Sequence, residues 1–108
     1  MTLPMEARVQ LATRDNRFRA ALVANPDDPD WRARALCRAF DPDKFFPIQI
    51  PGDESAEAVR ICRGCDVQSP CLAAALSAGE AHGIWGSTTP KERQPMLVAW
   101  YRKNRRRR

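Results

Sequence analysis

The apolar positions of the chain recur mostly at helical spacing, and no segment carries the alternating pattern of a strand. Residues 5–24 predict one long helix, whose apolar face holds Leu11, Phe18 and Leu22. The acidic, proline-rich stretch at residues 25–30 ends this helix and marks the boundary of an N-terminal extension. A short helix over residues 31–37 follows, with Asp30 as its N-cap.

Three further helices are predicted in the rest of the chain. The first begins at Asp53 or Ser55, and Gly64 ends it. The second begins with Ser69 and Pro70 as N-cap and first helical residue, carries Cys71 in its first turn, and ends at Gly79. The last begins with a capping box, Thr89-x-x-Glu92, and the proline at position 95 predicts that this helix kinks or restarts.

The charge is concentrated at one end of the chain. Residues 91–108 hold eight basic residues and one acidic residue (+7), whereas the other 90 residues hold ten and twelve (−2), which gives the net charge of +5. A near-neutral body with a cationic tail favours an anionic partner, nucleic acid first, and a solubilising tail is the alternative. With 108 residues, no apolar run of membrane-spanning length and no signal-like start, the sequence predicts one small cytoplasmic domain with tails.

Four cysteines provide the candidate chemistry: Cys37, Cys62, Cys65 and Cys71. In a reducing compartment structural disulfides seldom persist, so a metal or cluster site explains the grouping better. Zinc takes four tetrahedral thiolates, and a Cys-x-x-Cys turn supplies two of them. An iron–sulfur cluster is larger and accepts thiolates from more widely spread backbone positions. The spacing alone leaves zinc, an iron–sulfur cluster and a redox dithiol or disulfide open.

Aromatic residues flank the cysteines. Phe45 and Phe46 precede a proline, and two adjacent aromatics cannot both enter one small core easily, so we expect one to pack inward and the other to be available to a partner. Spacing alone favours Trp85 as a buried residue that fills the small core.

Several motifs, in order along the chain, resemble the WhiB-like family of actinobacteria and their phages. They are Trp31-Arg32 ahead of Cys37, Asp41-Pro42 leading to Phe45-Phe46-Pro47, Cys62-x-x-Cys65-x5-Cys71, and Gly83-Ile84-Trp85-Gly86. The cysteine pattern alone is suggestive, and followed by the Gly-Ile-Trp-Gly segment it is specific. The resemblance covers residues 31 to about 92 and leaves the first 30 residues outside.

The resemblance implies an all-α fold, a small bundle of about four to five short helices around a 4Fe-4S cluster held by the four cysteines, with a tight turn at Gly83, Ile84, Trp85 and Gly86. In the family the cluster reacts with oxygen and nitric oxide. Aromatic residues there contact the C-terminal domain of the principal sigma factor; by position these are Trp31, Phe45, Phe46 and Trp85, so Trp85 is expected to face a partner. A basic C-terminal segment contacts promoter DNA in the family, which corresponds here to Arg102, Lys103, Arg105, Arg106, Arg107 and Arg108.

The chain departs from the family pattern in three places. Ser87 stands where the family usually has a second glycine after the tryptophan, and a positive φ there would cost on the order of 1 kcal/mol. Pro95 interrupts a helix that family members usually continue. The tail lacks Arg-Gly-Arg-Pro, so phosphate contact rather than minor-groove readout is expected of its arginines.

The sequence therefore predicts a redox- and nitric-oxide-responsive transcription regulator without catalytic activity, and with no membrane or small-molecule partner. The predicted parts are an N-terminal helical extension (1–30), the iron–sulfur domain (31–88), and the C-terminal helix with its basic DNA-contacting tail (89–108). The alternatives are a zinc-stabilised nucleic-acid-binding module, or a thiol–disulfide reductase that uses Cys62 and Cys65 after cluster loss. A Cys-x-x-Cys outside a βαβ pattern makes the reductase the weaker alternative.

Overall fold

The computed structural model describes residues 3–24, 30–40, 45 and 52–105. These residues form five α-helices, namely α1 (Met5–Ala12), α2 (Asn16–Val23), α3 (Gly52–Arg63), α4 (Gln68–Ala78) and α5 (Pro90–Arg105). Two short 3-10 turns, Arg32–Arg34 and Leu36–Ala39, lie between α2 and α3. Within the described ranges there is no strand, only an isolated bridge between Trp85 and Thr88, and the all-α prediction is confirmed.

The prediction of one helix over residues 5–24 is wrong, because the chain breaks between α1 and α2. The Asp15 carboxylate accepts a hydrogen bond of 2.9 Å from the backbone N–H of Arg17 and caps α2. The Thr13 hydroxyl donates to the carbonyl of Gln10 at 2.7 Å, beside the end of α1. The break changes which residues face the body, so Leu11 is 53% exposed although the single-helix prediction placed it on the apolar face.

Two other predicted helices differ from the structure in type or in starting residue. The helix predicted over residues 31–37 consists of the two 3-10 turns, separated by Ala35 in an extended conformation. Helix α4 begins at Gln68, with Val67 as an N-cap that makes no side-chain hydrogen bond, so Ser69 lies inside the helix. Its predicted end is confirmed, since Gly79 adopts a left-handed φ of +70°.

Helix α5 begins as predicted and then continues without interruption. The Thr89 hydroxyl accepts the N–H of Glu92 at 3.2 Å, and the Glu92 carboxylate accepts the N–H of Thr89 at 3.0 Å, which confirms the capping box. The predicted kink or restart at Pro95 is wrong, because α5 runs through it. Proline has no N–H for the Lys91 carbonyl four residues earlier, and the Arg8 guanidinium on α1 donates to that carbonyl at 3.3 Å instead.

The main core lies where α1 packs on α5 and α2 packs on α4. Its buried members come from all four helices: Val9, Ala12, Phe18, Ala21, Leu72, Ala73, Leu76, Met96 and Ala99. The Phe18 and Trp100 rings meet edge to face with centroids 6.2 Å apart. A second, smaller cluster holds Phe45, Ala58, Cys62 and Ile84. No helix in the described part of the chain is long and apolar enough to cross a membrane.

Candidate metal centre

The four cysteines come from three parts of the fold and line one cavity of about 390 Å³. Cys37 lies on the second 3-10 turn, Cys62 is in the last turn of α3, Cys65 follows Gly64, and Cys71 is in the first turn of α4. The turn after α3 is closed by the Cys65 N–H, which donates to the Cys62 carbonyl at 3.0 Å. None of the four is joined in a disulfide. The structure thus brings together the four residues that the sequence singled out.

Aromatic and apolar side chains complete the wall of this cavity. Trp31 and Phe45 are each 5% exposed, and Trp85 is half-buried. The Arg32 guanidinium stacks over the Trp31 ring at 4.6 Å from its centroid. Of the predicted partner-binding aromatics, Trp31, Phe45 and Trp85 therefore lie around the cysteines, and Phe46 lies outside the described residues.

The segment after Gly83 forms a tight hydrogen-bonded turn, but at residues 85–88 rather than at the predicted residues 83–86. Trp85 and Thr88 exchange backbone hydrogen bonds of 3.2 and 2.8 Å. The two central residues have positive φ, +53° for Gly86 and +65° for Ser87, which is the geometry of a type I′ turn. The chain reverses direction at the left-handed pair Gly86 and Ser87, and not at Gly83.

This turn is fixed against the neighbouring elements. A Cβ atom on Gly86 would lie 2.7 Å from both the Gln68 carbonyl oxygen and the Leu72 Cβ, so only glycine fits there. The N–H of Ile84 donates to the Phe45 carbonyl at 2.6 Å, and the Trp85 indole donates to the His82 carbonyl at 3.0 Å. The turn is therefore held against α4 on one side and against the Phe45 backbone on the other.

Backbone N–H groups of the turn face two of the thiols. Burial raises the pKa of Cys71 to about 12, and the N–H of Gly86, which donates to this thiol, opposes that rise. Burial also raises the pKa of Cys62, opposed by the N–H of Ser87. For Cys37, burial and the nearby Cys65 raise the pKa. Buried thiols of this kind are deprotonated when a bound cation or cluster compensates the charge of the thiolates.

Two arginines for which the sequence predicted no role donate hydrogen bonds to backbone carbonyls of residues 80–88. Arg93, which is 0% exposed, donates to the carbonyls of Glu80, His82, Gly83 and Thr88 at 2.8–3.0 Å. Arg17 donates to the carbonyl of Ser87 at 3.0 Å. Arg93 did carry a sequence signal, because it shares a helix face with Met96 and Trp100 and thus lies on the apolar stripe of α5. For Arg17 the chain offers no local signal.

The predicted DNA-contacting residues are only partly described. Arg102 forms a bidentate ion pair with Glu6 on α1, at 2.8 and 2.9 Å, and Lys103 is exposed. The side chain of Arg105 and the residues Arg106, Arg107 and Arg108 lie outside the described part of the chain.

A family model described as transcription factor WhiB matches residues 31–96, which include all four cysteines and the turn. The chain belongs to the WhiB family. It is 42% identical over 87 residues to transcriptional regulator WhiB2 of Mycolicibacterium smegmatis, a match that covers 81% of this chain and 64% of that protein. It is 43% identical over 77 residues to transcriptional regulator WhiB of Streptomyces coelicolor, covering 68% of this chain and 86% of that protein. Over 64 residues it is 45% identical to transcriptional regulator WhiB2 of Mycobacterium tuberculosis, covering 59% of this chain and 70% of that protein.

The WhiB match and the packing divide the chain at different places. The match begins at Trp31, whereas α1 and α2, which precede it, supply four of the nine buried residues that the described part of the chain contributes to the main core. The chain also spans somewhat less than two thirds of the M. smegmatis relative. In this member of the WhiB family, the helices ahead of the matched region therefore pack as part of the body.

Proposed function

We propose that this chain is a transcription regulator, not an enzyme, and that its four cysteines hold a 4Fe-4S cluster. The observation that carries the proposal is the single cavity of about 390 Å³ lined by Cys37, Cys62, Cys65 and Cys71. One zinc ion holds its four sulfurs at about 2.3 Å, whereas this cavity extends beyond the cysteines and is also lined by aromatic and apolar side chains. A cuboidal cluster fills a larger space and takes its thiolates from more distant backbone positions.

The chemistry of the donor set fits such a cluster. Four thiols are the usual ligands of a 4Fe-4S centre, and aromatic and apolar side chains also line the cavity. When bound, the cluster supplies a centre that reacts with oxygen and nitric oxide. This chain's residues supply the thiolates, and the N–H groups of Gly86 and Ser87 stabilise the negative charge at Cys71 and Cys62.

The proposed protein partner is the C-terminal domain of the principal sigma factor. Trp85 is half-buried and lies on the rim of the cysteine cavity, so part of its ring is exposed, and its indole N–H donates to the His82 carbonyl. Trp31 and Phe45 line the same cavity with little exposure of their own. A chemical change at the cysteines alters this rim and thereby the affinity for the partner.

The proposed nucleic-acid partner is promoter DNA, contacted by the basic tail. Helix α5 carries Arg102 and Lys103 in exposed positions, and four arginines follow at positions 105–108. Cations of this density bind phosphates without reading bases, so the tail adds affinity that depends on salt.

Anaerobic purification of the full chain tests the centre. We expect a brown protein with a broad absorption band near 400–420 nm, roughly as cysteine-bound 4Fe-4S clusters show, and about four irons and four sulfides per chain. Colourless protein with one zinc per chain would make the cysteines a structural zinc site and overturn the redox function.

Co-purification with the sigma-factor domain tests the partner. Trp85→Ala should abolish binding while the cluster absorption is kept, and Tyr101→Ala, an exposed aromatic on α5, is the matched control that should bind normally. Retained binding by Trp85→Ala would overturn the partner assignment. The thiol–disulfide reductase alternative gains no support. An attacking thiol needs a lowered pKa, whereas burial raises the pKa of Cys62.

A further inference from the structure

Arg93 is a fully buried cation whose hydrogen-bond acceptors carry no charge. Its Nε donates to the Glu80 carbonyl at 3.0 Å, and Nη2 donates to the carbonyls of His82 and Gly83 at 2.9 and 2.8 Å. Its Nη1 donates to the Thr88 carbonyl at 3.0 Å and to the Thr88 hydroxyl at 3.1 Å. The side chain thus binds both ends of residues 80–88 from inside.

A buried guanidinium needs a nearby negative charge, because uncharged acceptors satisfy its N–H groups but do not balance its charge. Burial lowers the pKa of Arg93, and the charges of Cys71, Glu80 and Glu92 oppose this. The Glu92 carboxylate is already bound by Arg17 and by the Thr89 N–H. Cys71, a ligand of the proposed centre, is one of these three acidic groups, and the segment that Arg93 binds donates its Gly86 N–H to it.

The turn connects the two charges through its peptide groups. The carbonyls of Gly83 and Thr88 point to Arg93, while the N–H groups of Gly86 and Ser87, between them, donate to Cys71 and Cys62. If the guanidinium is removed, those carbonyls lose their donors, and the N–H groups lose the constraint that aims them at sulfur.

We propose that Arg93 is a positioning residue for the four-cysteine centre: it orients the turn at residues 85–88 toward the thiolates and supplies the buried positive charge that balances them. This inference rests on the proposed cluster function. A centre bound by four thiolates is anionic, and reduction adds a further negative charge, so a fixed cation nearby stabilises the reduced state. Arg93 therefore raises the reduction potential of the centre.

Two substitutions in the full chain, purified anaerobically, separate charge from geometry. Arg93→Gln removes the charge, and Arg93→Lys keeps it but cannot reach all four carbonyls. The exposed Lys91→Gln, on the same helix, is the matched control for loss of one positive charge. The measurements are the reduction potential of the bound cluster by spectroelectrochemistry and the hydrogen exchange of the amides at residues 82–88.

We expect Arg93→Gln to shift the potential in the negative direction and to exchange these amides faster. Arg93→Lys should keep a potential near that of the wild type while exchange is still faster, and Lys91→Gln should change neither. A wild-type potential in Arg93→Gln overturns the charge role, and unchanged exchange in both variants overturns the positioning role. If Arg93→Gln does not fold, Arg93→Lys decides: wild-type exchange in it overturns the proposal. If the wild-type chain carries zinc, the proposed function fails, and exchange in the zinc-bound chain still tests the positioning role.

Discussion

The guanidinium of Arg17 on α2 donates a hydrogen bond of 3.0 Å to the carbonyl oxygen of Ser87, 70 residues further along the chain. The same side chain is held by the Asp15 carboxylate at 2.7 and 3.0 Å and binds Glu92 at 3.0 Å. An N-terminal helix that lies outside the WhiB match thus contacts the turn beside the cysteines directly. Arg17 on α2 and Arg93 on α5 thus both bind carbonyls of this turn.

Replacement of Arg17 tests this contact. Arg17→Met should lower the free energy of unfolding by about 1–3 kcal/mol, because a half-buried carbonyl and two carboxylates lose their donor. Arg19→Met, an exposed arginine on the same helix, is the control and should change stability by less than about 0.5 kcal/mol. Urea unfolding of the purified chain measures both, and equal stability of the two variants would contradict the assigned role.

Acid should destabilise the same network. The hydrogen bond from Arg17 lowers the pKa of Asp15 below 3.8. Burial raises the pKa of Glu92, but the hydrogen bonds from Arg17 and Thr89 outweigh burial and keep this pKa below 4.5. Carboxyls with a lowered folded pKa contribute stability above their unfolded pKa and lose it as pH falls through the folded pKa. We therefore expect the free energy of unfolding to decline as pH falls below about 4.5. A chain with Asp15→Asn and Glu92→Gln, compared in the same loaded state, should be less stable at neutral pH and show a shallower decline; an unchanged decline would argue against this origin.

Ser87 should be a site of stored strain. Its φ is +65°, and its buried hydroxyl has no hydrogen-bond partner among the described residues. Ser87→Gly relieves both and should stabilise the chain by about 1–2 kcal/mol, whereas Ser87→Ala removes only the hydroxyl and should gain less. Thermal unfolding under anaerobic conditions ranks the three proteins. A less stable Ser87→Gly would indicate that the hydroxyl is bonded in the loaded protein.

A double-mutant cycle tests whether Arg8 compensates for the N–H that Pro95 lacks. Arg8→Ala leaves the Lys91 carbonyl without a donor and should cost about 0.5–1.5 kcal/mol in the wild-type background. In a Pro95→Ala background the restored N–H of residue 95 supplies that bond, so the same change should cost less. Equal costs in both backgrounds would mean that Arg8 does not compensate for the proline.

The tail should control the salt dependence of DNA binding. Replacing Arg105, Arg106, Arg107 and Arg108 with glutamine should reduce the slope of log affinity against log salt by about 0.9 for each phosphate that the tail no longer neutralises. Arg63→Gln, an exposed cation on α3, is the control. Fluorescence anisotropy at several salt concentrations gives the slopes, and an identical slope for the tail variant would refute its binding to phosphates.

Local signals in the sequence predicted local structure well. The capping box at Thr89 and Glu92 and the glycine at the end of α4 each depend on residues within one or two helical turns. The four cysteines were grouped by their motif, and the structure places all four around one cavity. The break at Asp15 was missed because good helix-forming residues stand on both sides of it, so composition outweighed one capping side chain.

The hydrogen bonds that hold the turn could not be predicted from spacing. Arg17 and Arg8 bind backbone carbonyls 70 and 83 residues away, and Arg93 binds carbonyls 5 to 13 residues away. Every residue has a backbone carbonyl, so the sequence does not indicate which carbonyls these side chains will bind. The uninterrupted course of α5 through Pro95 has the same cause. A helix tolerates the proline when a donor from another element takes the place of the missing N–H.

The unbroken α5 also fixes a distance. Its 16 residues, at about 1.5 Å each, make a helix about 24 Å long. The turn beside the cysteines precedes this helix, and the basic tail follows it. Along B-DNA, with about 3.4 Å per base pair, this length corresponds to about seven base pairs. With the sigma factor and DNA bound as proposed, the length of α5 sets the distance between the turn and the phosphates that the arginines bind. One residue inserted in its exposed face would move the tail by about 1.5 Å and turn it by about 100° around the helix axis.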